Sequence, residues 1–235
     1  MFGLRGVGRS PVDIHLYNTF GDHTGLLPSS STSSPRLYEK QIPNSYYREF
    51  GEAKYAGVRS GTTTTLILDG LALGSFTLNV DEISGDDHIV ASTTFVDIPT
   101  TASTTGVLMV SEEGLASSSP VLSLDIDGDS VTDITLLGNS EGVSQEELVA
   151  ILKGVVKTLG LTEIKEKRLL KKIDKLAKEL AKEHKNQKVE KRKTKQVFAE
   201  LLKTVDRYEK KKILSSDEAN ELREVVGQIK GSVIR

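Results

Sequence analysis

Residues 144–160 have the sequence SQEELVAILKGVVKTLG, and the spacing of apolar side chains changes at the first of them. Ser144 and Glu147 form a capping box, in which the hydroxyl and the carboxylate each accept a hydrogen bond from a backbone N–H group at a helix start. Apolar residues then recur every three or four positions, as on one face of a helix: Leu148, Ile151, Leu152, Val155, Val156 and Leu159. Gly160 is typical of a helix end. The stretch predicts an amphipathic α-helix.

Three further apolar stripes follow. The second stripe, in a helix that begins near Thr162, is Leu169, Ile173, Leu176 and Leu180. The third is Val197, Phe198, Leu201, Leu202, Val205 and Tyr208, and the fourth, after the capping box SSDE at 215–218, is Ala219, Leu222, Val225, Val226 and Ile229. Residues 184–195 contain a single large apolar residue, Val189, so residues 162–211 form either two helices or one long one. Four stripes predict a small all-α helical bundle over residues 141–235.

Before residue 141 the apolar spacing has a period of two, as in half-buried strands. Alternating apolar positions are Val12, Ile14 and Leu16, and further along Phe76, Leu78 and Val80. Further strand candidates, separated by turn-forming segments, are residues 54–58, 64–69, 88–96, 106–111 and 121–124. No helical stretch interrupts them, which is typical of antiparallel sheets. We therefore expect an immunoglobulin-like, antiparallel all-β sandwich over residues 10–140, preceded by a tail at 1–9.

Charge divides along the chain in the same way. Residues 1–140 carry 7 Lys and Arg against 17 Asp and Glu, a net charge of −10, whereas residues 141–235 carry 24 against 16, a net charge of +8. All 6 prolines and 15 of the 20 glycines lie before residue 141. The sequence thus predicts two domains, an acidic β-sandwich and a basic helical bundle.

The composition excludes several classes of site and segment. Without cysteine the chain has neither disulfides nor thiolate metal sites. No stretch approaches the roughly 18 consecutive apolar residues of a membrane-spanning helix. Residues 1–10 lack the apolar stretch of a secretory signal.

Several segments are similar to parts of known modules. LLKKI at 169–173, VFA at 197–199 and SSDEANEL at 215–222, within the run from Ser144 to Ile229, resemble the FIMAH-type helical domain at the carboxy ends of secreted multidomain bacterial proteins.

The β half carries a resemblance of its own. SPVDIHLY at 10–17, HTG at 23–25 and IPN at 42–44 resemble β-sandwich modules that follow catalytic domains in such proteins, including some secreted α/β-hydrolase-like ones. Together the two resemblances cover nearly the whole chain. They imply an accessory role outside the cytoplasm, and they transfer no catalytic residues.

The most specific motif is DIDGDSVTD at residues 125–133. Asp125, Asp127, Asp129 and Asp133 place carboxylates at loop positions 1, 3, 5 and 9, and Val131 places a backbone carbonyl at position 7. Calcium loops of the EF-hand type use oxygens at these positions to surround one ion. The sequence therefore predicts a Ca²⁺ site formed by these five residues.

Two positions depart from a full EF-hand loop. Ser130 stands at position 6, where glycine makes the sharp turn, and Leu136 stands at position 12, where a bidentate glutamate is usual. The motif is closer to the shorter DxDGDxxxD loops that connect strands in extracellular modules. The alternative is an Asp- and Gly-rich turn with solvated carboxylates, although four carboxylates within nine residues repel one another without a cation.

Sequence motifs for nucleophilic, metal-histidine and nucleotide chemistry are missing, whereas a catalytic pair of carboxylates stays open because such pairs are assembled only in space. GRSPV at residues 8–12 is the nearest approach to a GxSxG nucleophile elbow, but it lacks the final glycine and a preceding predicted strand. His15, His23 and His88 have no HExxH or comparable spacing, and we expect His15 and His88 to be surface side chains. No glycine-rich loop leads from a strand into a helix, which disfavours a nucleotide site.

A basic run at residues 182–195 could attract anionic polymers. Its cations are Lys182, Lys185, Lys188, Lys191, Arg192, Lys193 and Lys195. Glu183 and Glu190 interrupt it, and no aromatic residue offers a ring on which bases could stack. We interpret the run as a solvated surface and expect no nucleic-acid partner.

These observations predict a noncatalytic accessory, binding or spacer region of a larger secreted or surface protein, with calcium as a stabilising ion. A carboxy-terminal piece of a longer secreted precursor would account for the missing signal. The expected partners are upstream domains of the same polypeptide and a cell-surface glycan or protein. Two alternatives remain open: the tail of a secreted hydrolase whose active site lies upstream, and an intracellular protein that binds an anionic polymer.

Overall fold

The computed structural model describes residues 3–9, 11–27, 37–59, 63–84, 88–115, 120–139, 143–182 and 187–233. The chain forms two compact units, Met1–Val143 and Ser144–Arg235. The first contains strands and the second contains helices, so we call them the β unit and the helical unit.

The described part of the β unit has twelve strands. They are β1 Gly3–Arg9, β2 Val12–Asn18, β3 His23–Leu26, β4 Tyr38–Lys40, β5 Tyr46–Phe50, β6 Ala53–Arg59, β7 Thr64–Gly70, β8 Gly74–Ile83, β9 Ile89–Thr100, β10 Thr105–Val110, β11 Val121–Asp125 and β12 Ile134–Leu137. One sheet has five strands in the order β5-β6-β1-β8-β9, and the other has seven in the order β12-β11-β10-β7-β2-β3-β4. Neighbouring strands are antiparallel in both. The chain is therefore a mostly-β sandwich with helices.

The prediction of a tail at residues 1–9 is wrong, because β1 lies in the middle of the five-stranded sheet between β6 and β8. Its glycines are typical of a loop, so the sequence does not indicate a strand here. A Cβ atom at Gly6 would lie 2.9 Å from Leu66 Cδ1, and one at Gly8 would lie 2.8 Å from Ile14 Cδ1. The two sheets approach one another closely at these glycines, which explains why a strand interior contains them. Strand β1 thus leads into GRSPV and contains its first two residues, although the final glycine of an elbow is still missing.

The core of the β unit lies between the sheets. Ile14 and Leu16 on β2 and Leu78 and Val80 on β8 are each 0% exposed, which confirms the inward positions predicted from the period of two. Burying one such side chain stabilises a fold by roughly 1.5–3 kcal/mol. The sandwich therefore has an apolar interior assembled from strands far apart in the sequence.

The helical unit has four helices: α1 Gln145–Thr158, α2 Glu163–Leu180, α3 Gln187–Lys210 and α4 Ser216–Val233. Both predicted capping boxes are present. Glu147 N donates to Ser144 Oγ at 3.2 Å and Ser144 N donates to Glu147 Oε2 at 2.6 Å. Ser215 and Glu218 make the same pair of bonds at 3.2 and 2.7 Å.

The open question over residues 162–211 is answered by two helices, because α2 ends at Leu180 and α3 begins at Gln187. Helix α1 packs against α2 and α4, and α3 packs against the same two helices. Their shared interior includes Ile151, Ile173, Phe198 and Ile229, which are at most 1% exposed. Among the described residues, no helix combines the length and apolar content needed to cross a membrane.

Candidate functional site

The connection between β11 and β12 brings three of the predicted carboxylates together. Asp125 ends β11, and Asp133 directly precedes β12. Asp125, Asp127 and Asp133 each offer one carboxylate oxygen, and these oxygens lie within 4.8 Å of one another. Oxygens that bind one Ca²⁺ at about 2.3–2.6 Å can be no more than about 5 Å apart. The three carboxylates therefore lie within the separation that ligands of one calcium ion can have.

Backbone N–H groups hold these carboxylates in place. Gly128 N and Ser130 N donate to the two oxygens of Asp125, at 2.8 and 2.7 Å. Ile126 N donates to Asp133 Oδ2 at 2.8 Å. A carboxylate has about four lone-pair sites, so one N–H group on an oxygen leaves a lone pair for a metal ion. The loop thus orients the carboxylates and keeps their capacity to bind a cation.

The fourth predicted carboxylate, that of Asp129, is placed differently. Asp129 is exposed and does not join the group of three; its Oδ1 accepts a hydrogen bond from Val131 N at 2.9 Å. The Val131 side chain is exposed, and its backbone carbonyl stays a predicted ligand. Ser130 has φ +66°, the left-handed conformation that a glycine at this position would favour. Ser130 therefore adopts the backbone conformation of the sharp turn, although this position usually requires a glycine.

A turn distant in the sequence braces the loop, and sequence reasoning missed it. Ile126 is 0% exposed, and its carbonyl accepts hydrogen bonds from Thr101 Oγ1 at 2.8 Å and from Thr104 Oγ1 at 3.4 Å. A Cβ atom at Gly128 would lie 3.1 Å from Ser103 Cβ. The TASTT segment at 101–105 shows only a run of small hydroxyl residues, and nothing local connects it to residue 126.

A second polar cluster lies on the outer face of the seven-stranded sheet. His23 Nδ1 is 2.7 Å from Glu39 Oε1, and His23 Nε2 is 3.0 Å from His15 Nδ1. At the far end His15 Nε2 is 3.4 Å from Asp69 Oδ2. We call these four residues the histidine chain. Its members lie on β2, β3, β4 and β7, and no spacing along the sequence predicts that these side chains meet.

The histidine chain corrects one expectation about the histidines. His15 lies on the polar side of β2 as predicted, but its side chain is only 12% exposed, so it is not a surface side chain. The ring of Tyr17 stacks on His23 with 4.7 Å between ring centroids. His88 is exposed, as expected. Burial raises the pKa of Tyr17, and the charges of Asp69 and Glu39 act in the same direction.

Aromatic side chains line a cleft of about 310 Å³ beside β4 and β5. Its lining is Tyr38, Tyr47, Arg48, Glu49 and Phe50. Tyr38 is 56% exposed and Phe50 is 66% exposed, whereas Tyr47 is buried and lies with its ring centroid 6.1 Å from that of Tyr38. Large exposed rings beside charged groups are typical of binding surfaces.

The basic run lies only partly within the described residues. Lys182 forms an ion pair with Glu179 at 2.8 Å, and Lys193 and Lys195 are exposed. Lys185 lies outside the described residues, and the side chains of residues 188, 191 and 192 do as well. The described part agrees with a solvated surface and gives no geometry for an anionic polymer.

Comparison with known proteins finds no matching family model, no similar curated protein and no similar solved structure.

Proposed function

We propose that the chain is a noncatalytic accessory region of a larger secreted or surface protein, and that calcium stabilises its β unit. In this proposal the β unit is an immunoglobulin-like sandwich and the helical unit is a bundle of the FIMAH type. The region spaces, stabilises or attaches upstream domains of the same polypeptide, and it recognises a cell-surface glycan or protein.

Two features support the accessory role. Each unit has an apolar interior of its own, as expected of modules that are joined in series. The cleft beside β4 and β5 offers exposed rings with a cation, Arg48, and a carboxylate, Glu49. Such a mixed lining suits a polyhydroxylated ligand. Aromatic rings cover the apolar faces of such a ligand, the carboxylate accepts hydrogen bonds from its hydroxyls, and the guanidinium donates hydrogen bonds to them.

The approach of Asp125, Asp127 and Asp133 is the observation that carries the calcium proposal. These carboxylates belong to the end of β11, the loop and the residue before β12, so a shared cation would tie the last two strands of the seven-stranded sheet together. A bound Ca²⁺ would supply charge neutralisation to three carboxylates that otherwise repel one another. Thr101 and Thr104 hold the buried start of the loop by hydrogen bonds to the carbonyl of Ile126.

Thermal unfolding with millimolar calcium and with chelator, at fixed ionic strength, tests the proposal. With a dissociation constant of roughly 10 µM, calcium would stabilise the β unit by about 2.7 kcal/mol. That corresponds to about 5–10 °C in melting temperature. Asp127→Asn should abolish the shift, because it removes a carboxylate of the group of three.

Asp129→Asn is the matched control, since it makes the same change in the same loop outside that group. The control variant should keep most of the calcium response. Equal melting temperatures with calcium and chelator, together with no heat of binding in calorimetry, would leave only a solvated turn. Loss of the response in both variants would instead indicate the full set of ligands predicted from the sequence.

A second experiment tests the noncatalytic role. We expect no turnover on panels of ester, glycoside and peptide substrates, because the sequence has neither a nucleophile elbow nor a metal-histidine motif. Activity that survives repurification and disappears on changing one Ser, His, Asp or Glu would contradict it.

A further inference from the structure

The two imidazole rings of the histidine chain face one another edge to edge. His15 Nδ1 and His23 Nε2 are 3.0 Å apart, while the ring centroids are 5.2 Å apart and the ring planes differ by 22°. The centroid separation is close to the nitrogen separation plus two ring radii, so both nitrogens lie near the line between the centroids. One hydrogen fits between them as a linear hydrogen bond, and two hydrogens do not.

Glu39 determines which nitrogen carries that hydrogen. An ionised carboxylate only accepts, so His23 Nδ1, at 2.7 Å from Glu39 Oε1, must donate. In a neutral His23 the other nitrogen, Nε2, is then an acceptor, and His15 Nδ1 must donate to it. Neutral His15 is left with a bare Nε2 at 3.4 Å from the carboxylate of Asp69.

The histidine chain therefore responds differently to a first and to a second added proton. The first proton goes to His15 Nε2 and turns its contact with Asp69 into an ion pair, which leaves the bond between the rings intact. The second proton must go to His23 Nε2, where it meets the N–H group of His15. Two cations with donors pointing at one another at 3.0 Å repel, so the second proton breaks the chain.

Titratable groups from five strands form or adjoin the histidine chain. Besides its own four residues on β2, β3, β4 and β7, they are Asp13 and Tyr17 on β2, and Lys54 on β6, which contacts Asp13 at 3.8 Å. Burial lowers the pKa of His15, His23 acts in the same direction, and Asp69 and Asp13 oppose the shift. A folded-state pKa below the unfolded one means that stability falls as the pH drops through the unfolded value.

The histidine chain holds one edge of the seven-stranded sheet in place. Strand β4 has three residues and, within the described part of the chain, pairs only with β3; β3 is paired with β2 at residues 15–17. Gln41 adds to the fastening, since its Nε2 donates to Glu39 Oε2 and its Oε1 accepts from His23 N. Strand β4 also carries Tyr38, one wall of the aromatic cleft.

We propose that the histidine chain is a pH-sensitive latch, which holds the β3–β4 edge against β2 at neutral pH and releases that edge, with the Tyr38 wall of the cleft, when both imidazoles are protonated. The latch is independent of the calcium loop and of the identity of any ligand.

Hydrogen exchange of the full chain at about pH 8 and about pH 5, which bracket the range in which histidines change charge, tests the latch. After correction for intrinsic rates, amides of residues 37–41 should exchange about tenfold faster relative to β8 at the lower pH, because one buried hydrogen bond is lost. Equal relative protection at both pH values would overturn the proposal.

Variants separate the latch from general acid sensitivity. His15→Gln removes one of the two cations and should abolish the extra exchange at low pH, whereas His88→Gln, the matched change at an exposed histidine, should leave it unchanged. Asp69→Asn can donate to His15 Nε2 and favours the neutral chain, so opening should move to lower pH. The same pH dependence in His15→Gln as in the unaltered chain would overturn the proposal.

A spectroscopic measurement covers the case in which a variant does not fold. Nitrogen-15 NMR of the unaltered chain at about pH 8 should show both imidazoles neutral with hydrogen on Nδ1. Hydrogen on Nε2 of neutral His15 would contradict the order of donors on which the latch depends.

Discussion

The two units are stabilised over very different distances along the chain. In the helical unit, hydrogen bonds that define a helix start join residues three apart, as in Ser144 and Glu147. In the β unit, the loop at Ile126 is held by Thr101, and His23 is held by Glu39. Local interactions can be seen in a sequence, whereas the polar clusters of the β unit exist only once strands are in register. The candidate sites lie in the unit whose interactions are long-range.

The largest expected effect tests whether the two units have separate cores. Leu78→Ala in the β unit and Ile173→Ala in the helical unit each remove a side chain that is 0% exposed, which should cost about 2–5 kcal/mol. Differential scanning calorimetry should show each change lowering one transition and leaving the other in place. A single transition that moves equally in both variants would contradict the independence of the units.

Replacing a glycine by alanine should destabilise the β unit and stabilise the helical unit. Gly8→Ala places a Cβ atom 2.8 Å from Ile14 Cδ1 between the sheets and should destabilise the β unit by about 1–3 kcal/mol. Gly227→Ala, in α4, meets nothing within 4 Å and should stabilise the helical unit by about 1 kcal/mol, because alanine favours the helix. Denaturant unfolding measures both. The same sign in both units would show that crowding at β1 is not what selects glycine.

The smallest effects compare a local with a distant hydrogen bond. Ser144→Ala removes the cap of α1 and should cost the helical unit about 1 kcal/mol. Thr101→Val removes a hydroxyl that donates to Ile126 O and should cost the β unit a similar amount, about 1 kcal/mol. Only the second change should also weaken the calcium response. Calorimetric titration with calcium distinguishes the two, and an equal response in Thr101→Val and the unaltered chain would show that the brace does not position the carboxylates.

The parts of the fold that the sequence predicts are those with local causes. Both capping boxes and all four stripes correspond to helices, and Ile14 and Leu78 face the core as their alternation requires. The sequence does not reveal strand β1, because its glycines are required by the close approach of Leu66 and Ile14, which lie on other strands. Strand β4 has only three residues, too few for any alternation to be recognised.

The candidate sites divide in the same way. The DxD spacing was enough to predict the meeting of Asp125 and Asp127, since both are in one loop. The spacing could not show that Asp129 bonds to Val131 N and leaves the group. The histidine chain was out of reach, because His15 and Asp69 become neighbours only through the pairing of β2 with β7.

The central position of β1 governs the order in which the chain can fold. Gly3 is paired with Ile83, so the five-stranded sheet must close a long loop before its middle strand is in place, and such closures slow folding. The helices pack largely on their sequence neighbours, as α1 does on α2 and α3 does on α4. On dilution from denaturant the helical unit should therefore regain its structure first, although it is synthesised after the β unit. During synthesis β1 emerges before either of its partners and waits for them with its glycine-rich backbone unpaired.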